Sequence, residues 1–338
     1  MKSVIAEIAS SNKYLKNEFY QRPSNVRNIT PDDQFLDGSN KEHYYLLGGV
    51  VLSSTVEFPQ LVAFKVDSSK VTALNVNSTT VKSKSSTAFK QAKLTTDALN
   101  LRYKGSAPFD GAVRQIEYLC DQHHGLVRID GTDAYFLDLS TQTAICVLAD
   151  PSGRLALEVM LGPVTVLFFR ARNRYCLHAG CVVTPNGAIA LIAESGIGKS
   201  TLSATHDDDW QQISDDVIVV DAESLLISGA FPQLKLPTAQ SDYFAVGASK
   251  SPLPIAAFVR LAPEPTDQIL IEPVTPRDAL LEIVRHSVGA KLFDAQELQS
   301  HTLFSAQLAH LVPMWRASYP RDLEQLPNVR ESIVNTIK

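Results

Sequence analysis

Residues 188–204 read A-I-A-L-I-A-E-S-G-I-G-K-S-T-L-S-A. The apolar run 188–192 predicts a short buried strand. Gly196 and Gly198 predict a tight turn, and Lys199-Ser200-Thr201-Leu202 predicts the start of a helix. Strand, glycine turn and helix in that order form the phosphate-binding loop context. Glycines let successive backbone N–H groups turn toward anionic oxygens, and the helix N-terminus adds partial positive charge. The stretch Ala193, Glu194, Ser195, Gly196, Ile197, Gly198, Lys199, Ser200 and Thr201 is therefore the candidate nucleotide-phosphate site. Lys199 is expected to reach the terminal phosphates and the Ser200 hydroxyl to hold Mg²⁺. Ala193 stands where such loops usually carry their first glycine, a small residue that is tolerated where φ stays negative.

Upstream, residues 175–183 predict a strand and Pro185-Asn186-Gly187 a turn, so that a hairpin feeds the loop. Pairing across it brings His178 toward the loop base, where it would orient an aspartate or stabilise charge on a transferring phosphoryl group. Downstream, Asp215-Asp216 precedes the apolar run 217–220 and follows Lys199 by about 16 residues, too close for intervening helices. Two carboxylates beside a nucleotide can divide the work. One sits near Mg²⁺ and the other accepts the proton of an attacking hydroxyl.

Working outward, the 338 residues are long for one core and favour two domains, divided near residues 150–160. Hydrophobic residues at 45% and charged residues at 20% describe an ordinary globular chain. A net charge of −5 gives no support to nucleic-acid binding, which would favour a basic face, and leaves local basic clusters open. The cysteines, Cys120, Cys146, Cys176 and Cys181, form no C-x-x-C pair and fit a reduced, cytoplasmic protein. The N-terminus lacks a secretory apolar core. The most apolar stretch, residues 159–169, is about 11 residues broken by Gly162-Pro163, against about 20 for a membrane span. No membrane segment is expected.

Residues 1–42 predict an irregular lead-in, and residues 44–47, 50–52, 61–66 and 71–76 short strands, with Gly48-Gly49 between the first two. Residues 77–93 predict a solvated loop. Val113, Ile116 and Leu119 at helical spacing predict a helix over residues 111–120. Residues 126–129, 134–139 and 143–148 predict strands, with a turn at Asp130-Gly131. Pro163 is placed to open a helix running to Arg172. Further helices are expected at 276–285, with Leu280, Leu281 and Ile283 inward, and at 304–314, with Leu308 and Leu311. No internal repeat is visible. Cys120-Asp121-Gln122-His123-His124 carries metal-like letters without a second ligand pair, and Asp207-Asp208-Asp209 predicts a solvated helix end.

L-H-A-G-C-V-V, then the loop A-E-S-G-I-G-K-S-T-L, then S-D-D-V-I-V-V resembles the catalytic domain of HPr kinase/phosphorylase and its relatives, among them the HPr-kinase-related serine kinases. The resemblance covers roughly residues 160–330. It implies an α/β, phosphoenolpyruvate-carboxykinase-like P-loop kinase domain at 156–338, preceded by a smaller strand-rich α+β module at 1–155. It further implies cytoplasmic, ATP- and Mg²⁺-dependent phosphorylation of a hydroxyl, usually of serine, on a protein or peptide, with homo-oligomers common among relatives. By that resemblance His178 is the active-site histidine, Lys199 the loop lysine, Asp215 the base and Ser200 a Mg²⁺ ligand. Asp216 organises metal or phosphate. True HPr kinases carry a glutamate with an I-R-G-x-G signature after the acidic pair. Here residues 231–238 read F-P-Q-L-K-L-P-T, with Lys235 near the acid's place, which argues against HPr as substrate and against phosphorolysis. The closing phrase V-P-M-W-R-A-S-Y-P-R-D-L also resembles the family, with Arg316 and Arg321 as lesser phosphate candidates.

Three functions fit the residues: a protein or peptide serine/threonine kinase, a kinase for a small hydroxyl-bearing metabolite, and a non-catalytic ATP-binding regulatory protein. A need for residues 1–150 in choosing the acceptor favours the first. An Asp215→Asn variant that binds ATP and keeps biological activity favours the third.

Overall fold

The computed structural model describes residues 42–68, 78–83, 98–194, 196–204, 209–214, 216–227 and 252–337. The described chain is mixed α/β, with two sheets and the helices packed against them. The first sheet collects β1 (His43–Leu47), β2 (Val50–Ser54), β3 (Ser78–Ser83), β4 (Asn100–Phe109), β5 (Ala112–Cys120), β6 (His124–Ile129), β7 (Thr132–Asp138) and β8 (Thr143–Cys146). Their order is β1-β2-β3-β8-β7-β6-β5-β4. β3 runs parallel to both β2 and β8, and every other pairing is antiparallel.

Turn chemistry builds this sheet. Gly48-Gly49 closes β1 on β2 as expected, and Asp130-Gly131, both at positive φ, closes β6 on β7. The expected helix over residues 111–120 is strand β5 instead. Asp110 and Gly111 both take positive φ (51° and 72°), the two-residue turn that ties β4 to β5. Ile116 and Tyr118 then point inward at period 2, and the three-residue spacing of Val113, Ile116 and Leu119 was coincidental. Residues 61–66 are likewise not a strand, because Pro59 opens a 3-10 turn, Pro59–Phe64. Within 77–93, residues 78–83 pair as β3 rather than forming a loop. The expected strand at 71–76 and the lead-in before residue 42 lie outside the described residues.

From β8 the chain enters α1 (Arg154–Val159), a wide π turn (Met160–Val164) and α2 (Thr165–Ala171). Pro163 therefore does not open the helix. It lies inside the π turn, where Gly162 takes a non-helical ψ of −108°. Thr165 Oγ1 donates to the Met160 carbonyl at 2.5 Å.

The second sheet holds β9 (Arg174–Leu177), β10 (Gly180–Thr184), β11 (Gly187–Ile192), β12 (Gln211–Ser214), β13 (Ile218–Asp221), β14 (Leu226–Ile227) and β15 (Leu253–Glu264) in the order β12-β10-β11-β15-β14-β13-β9. β17 (Met314–Pro320) lies parallel to β15 and antiparallel to β16 (Leu270–Pro273). Between β11 and β12 lies the short helix α3 (Lys199–Ser203). After β16 come α4 (Pro276–Arg285) and α5 (Ala295–Leu311), and α6 (Leu326–Thr336) closes the described chain.

α4 has its expected bounds and turns Ile283 inward as expected, with Leu280 partly buried, but Leu281 faces out. Ala279, Glu282 and Ile283 are buried, whereas Leu281 is 54% exposed, since about 100° per residue puts it opposite Ile283. α5 starts before residue 304 because Asp294 and Glu297 form a reciprocal capping box, and it stops at Leu311, so Met314 belongs to β17. Leu308 is buried and Leu311 is exposed.

The described residues belong to one compact unit. The largest apolar cluster takes side chains from both sheets and from α1 and α2, including Tyr45, Tyr135, Leu157, Phe168, Tyr175 and Phe258. A second cluster, around Leu191, Leu202, Trp210, Val259, Tyr319 and Val329, joins α3 and α6 to the second sheet. Each fully buried large side chain contributes about 1.5–3 kcal/mol. No helix among the described residues is long and apolar enough to cross a membrane.

Candidate functional site

The strand expected over residues 175–183 splits at His178-Ala179 into β9 and β10, which lie in different parts of the sheet. Their partner segment divides likewise, β12 ending at Ser214 and β13 beginning at Ile218. The two interrupted segments are antiparallel partners. Cys181 sits opposite Ser214 on one side of the break, and Leu177 sits opposite Ile218 on the other. Ser214 Oγ donates to the Val217 carbonyl at 2.6 Å, spanning the second break. The backbone around β9 is held from its other edge, where His178 N donates to His286 O at 2.7 Å and Val288 N to Cys176 O at 2.9 Å. His178 and Asp216 thus face each other, with Nδ1 and Oδ1 3.2 Å apart.

The hairpin strand β11 delivers the loop beside this break. Thr184 pairs with Gly187 across Pro185-Asn186, and β11 is buried nearly throughout. Ala193 is buried at the loop entrance. Gly196 and Gly198 take φ of +83° and +104°, values an L side chain rarely adopts. A Cβ on either would meet nothing within 4 Å, so backbone sign rather than crowding calls for glycine, and the space beside both is open. Left-handed Gly198 followed by helical Lys199 turns neighbouring N–H groups to one side, the geometry of an anion nest. Trp210 fixes the helix after the loop, its indole Nε1 donating to the Leu202 carbonyl at 3.1 Å.

Lys199 is only 7% exposed. Its Nζ donates to the Ala193 carbonyl at 2.5 Å and to that of Glu194 at 3.5 Å, and it lies 3.3 Å from His178 Nε2. An ammonium can only donate, so His178 Nε2 is the acceptor and Nδ1 carries the hydrogen, directed at Asp216. This assigns the tautomer from the network. Asp216, His178 and Lys199 form one contact path ending at the loop. Glu194, Gly196, Ser200 and Thr201 are exposed on its surface, and Ile197 and Gly198 are half-buried. Ser195, Asp215, Asp207, Asp208 and Lys235 lie outside the described residues. No group of three or more His, Cys, Asp or Glu side chains suited to a metal occurs among the described residues.

A second group packs behind His178 and was not foreseen. The His286 ring lies nearly parallel to that of His178, centroids 6.4 Å apart and planes at 19°. Glu282, buried on α4, places Oε2 3.7 Å from His286 Nε2, and Oε1 3.2 Å from Arg285 and 3.5 Å from Arg260. Burial, with Lys199 and then His178, Arg285 and Arg260 nearby, pushes the His286 pKa down to about 4. The signal that could have found this pair is Glu282-Ile283-Val284-Arg285-His286, a glutamate and a histidine one helical turn apart on the buried face.

Arg316 pairs with Glu264, and Arg321 is exposed. Asp121 accepts from the backbone N–H groups of His123 and His124, making a turn of the metal-like letters. Cys176 and Cys181 are buried, which raises both thiol pKa values, that of Cys176 to about 12.

No protein-family model matches the chain, and no curated protein matches it. Among solved structures, the chain is similar to the Hpr(Ser) kinase/phosphatase from Coxiella burnetii, with 17% identity over 48% of this chain and 94% of that one and a TM-score of 0.27. A TM-score of that size is too low for fold or chemistry to be carried across.

Proposed function

We propose that the chain is an ATP-dependent phosphotransferase that moves the γ-phosphoryl group to a serine or threonine hydroxyl of a protein or peptide. In this reading the second sheet and its helices are an HPr-kinase-like, phosphoenolpyruvate-carboxykinase-like catalytic domain, at work in the cytoplasm as a homo-oligomer. Residues 1–155 choose the acceptor. The observation that carries the reading is the contact path Asp216–His178–Lys199 at the foot of a loop with two left-handed glycines.

The loop fits a polyphosphate, with open space beside Gly196 and Gly198 and a buried ammonium at its base. Ser200 and Asp216 would hold Mg²⁺. Bound Mg²⁺–ATP supplies the electrophilic phosphoryl group. The amides of residues 195–200 and Lys199 bind phosphate oxygens and neutralise charge that grows in the transition state. Asp215 accepts the proton of the incoming hydroxyl. Asp216 keeps His178 in the Nδ1–H tautomer, so that Nε2 stays directed at Lys199.

The test is incubation with γ-labelled ATP and Mg²⁺ in the presence of cell extract or the products of neighbouring genes, wild type beside Asp215→Asn. Label on a protein or peptide with wild type alone is the expected result. Tight ATP binding with no transfer to any macromolecule would overturn the protein-kinase reading.

A further inference from the structure

We propose that Arg260 is a second phosphate-binding cation of this site, aimed by the buried carboxylate of Glu282 and acting beside Lys199. The inference rests on the ATP-dependent reading above. Two separate placements carry it. By backbone, Arg260 on β15 stands in register with Ile192, the last residue of β11, and the two strands are parallel. Arg260 therefore stands beside the residue at which β11 hands the chain to the loop, while β15 itself runs on to Glu264. By side chains, a run of contacts links Arg260 to Lys199. Arg260 Nη1 lies 3.5 Å from Glu282 Oε1, and Glu282 Oε2 lies 3.7 Å from His286 Nε2. The His286 ring then stacks on His178, whose Nε2 is 3.3 Å from Lys199 Nζ.

The charge balance indicates what this group presents. One carboxylate faces two guanidiniums, those of Arg260 and Arg285. The carboxylate side chain is 8% exposed and that of Arg260 is 41% exposed. The anion is inside and the cation is at the surface, so the pair offers positive charge outward. A guanidinium carries five N–H donors in a rigid fork. The contact with Glu282 engages Nη1 and leaves further donors for phosphate oxygens. A buried carboxylate that only neutralised its neighbours would not require one of them on the strand beside the loop. Glu282 is a positioning residue here, and Arg260 touches the ligand.

Calorimetric titration with Mg²⁺–ATP and Mg²⁺–ADP tests this on the full chain, with Arg260→Lys, Arg260→Met and Glu282→Gln beside wild type and a thermal melt of each. Arg260→Met should weaken ATP about tenfold or more, the size of a lost charge-assisted hydrogen bond, and Arg260→Lys less. A larger loss for ATP than for ADP supports contact with the γ-phosphate, and equal losses support the β-phosphate. Glu282→Gln should weaken ATP in the same direction by freeing the guanidinium. Arg260 is partly exposed, so its variants should melt near wild type. Wild-type affinity in Arg260→Met, beside a wild type that transfers phosphate, would overturn this inference alone. A wild type that binds neither nucleotide would overturn the functional reading with it.

Discussion

His178 and Asp216 meet at the point where two paired strands both break, Nδ1 to Oδ1 at 3.2 Å. An unbroken pair of strands would have spent these positions on ladder hydrogen bonds and sent alternate side chains to opposite faces. The break frees both residues from that alternation. It also leaves the imidazole able to touch Asp216 with one nitrogen and Lys199 with the other. The irregular backbone is thus what assembles the site.

Asp216 acts in part through His178, so the costs of removing the two residues should overlap rather than multiply. Asp216→Ala and His178→Ala are each expected to slow phosphoryl transfer by about 10²-fold, and the double variant should be little worse than the slower single one. Single-turnover transfer at saturating ATP measures this. Losses that multiply in the double variant would mean that the two residues act separately.

His286 makes stability pH-dependent. Its folded pKa of about 4 lies below the usual value of 6.5, so between those values the unfolded chain binds more protons. Stability from this group is therefore complete above pH 6.5 and is lost as pH falls toward 4. Between pH 7 and pH 5 the loss amounts to about 2 kcal/mol. Urea unfolding of wild type and His286→Gln at both pH values checks it. The variant should lose less by that amount, and equal losses in the two proteins would refute the assignment.

How much was legible follows from where local rules governed. Pro185-Asn186-Gly187, Asp130-Gly131 and Gly48-Gly49 are turns whose residues dictate their backbone, and each hairpin formed where its turn stood. The same rule at Asp110-Gly111 points to β5, where the helical spacing of Val113, Ile116 and Leu119 misleads. The loop at residues 193–201 was legible because glycine sign, lysine and helix start coincide. The group behind His178 was not. Glu282 is buried only because Arg260, Arg285 and His286 surround it, and Arg260 arrives from a different strand. Charge on a helix ordinarily faces water, so pattern alone turned Leu281 inward in its place.

Trp210 ties α3 to the sheet through one hydrogen bond and a fully buried ring. Trp210→Phe leaves the Leu202 carbonyl without that donor and removes volume from the cluster of Leu191, Leu202 and Val259. The expected cost is about 2 kcal/mol. It should be read as a lower denaturant midpoint at unchanged slope. A midpoint equal to that of wild type would mean that the loop helix does not depend on this anchor.

Lys199→Met separates the lysine's part in the fold from its part in binding. Methionine keeps much of the length and apolar stem of a side chain only 7% exposed, and it removes a charge whose burial is itself costly. Against that gain, the Ala193 carbonyl loses the donor 2.5 Å away. The two effects oppose each other, so stability should change by no more than about 1 kcal/mol. Phosphate affinity has no such compensation. The ammonium at the base of the loop is the charge that a triphosphate would meet, and its loss should weaken Mg²⁺–ATP by about tenfold to a hundredfold. A thermal melt and an ATP titration on the same sample give both numbers. A variant that melts like wild type and binds ATP like wild type would remove Lys199 from the phosphate site. A variant that no longer folds would instead make the contact with the Ala193 carbonyl the lysine's main role.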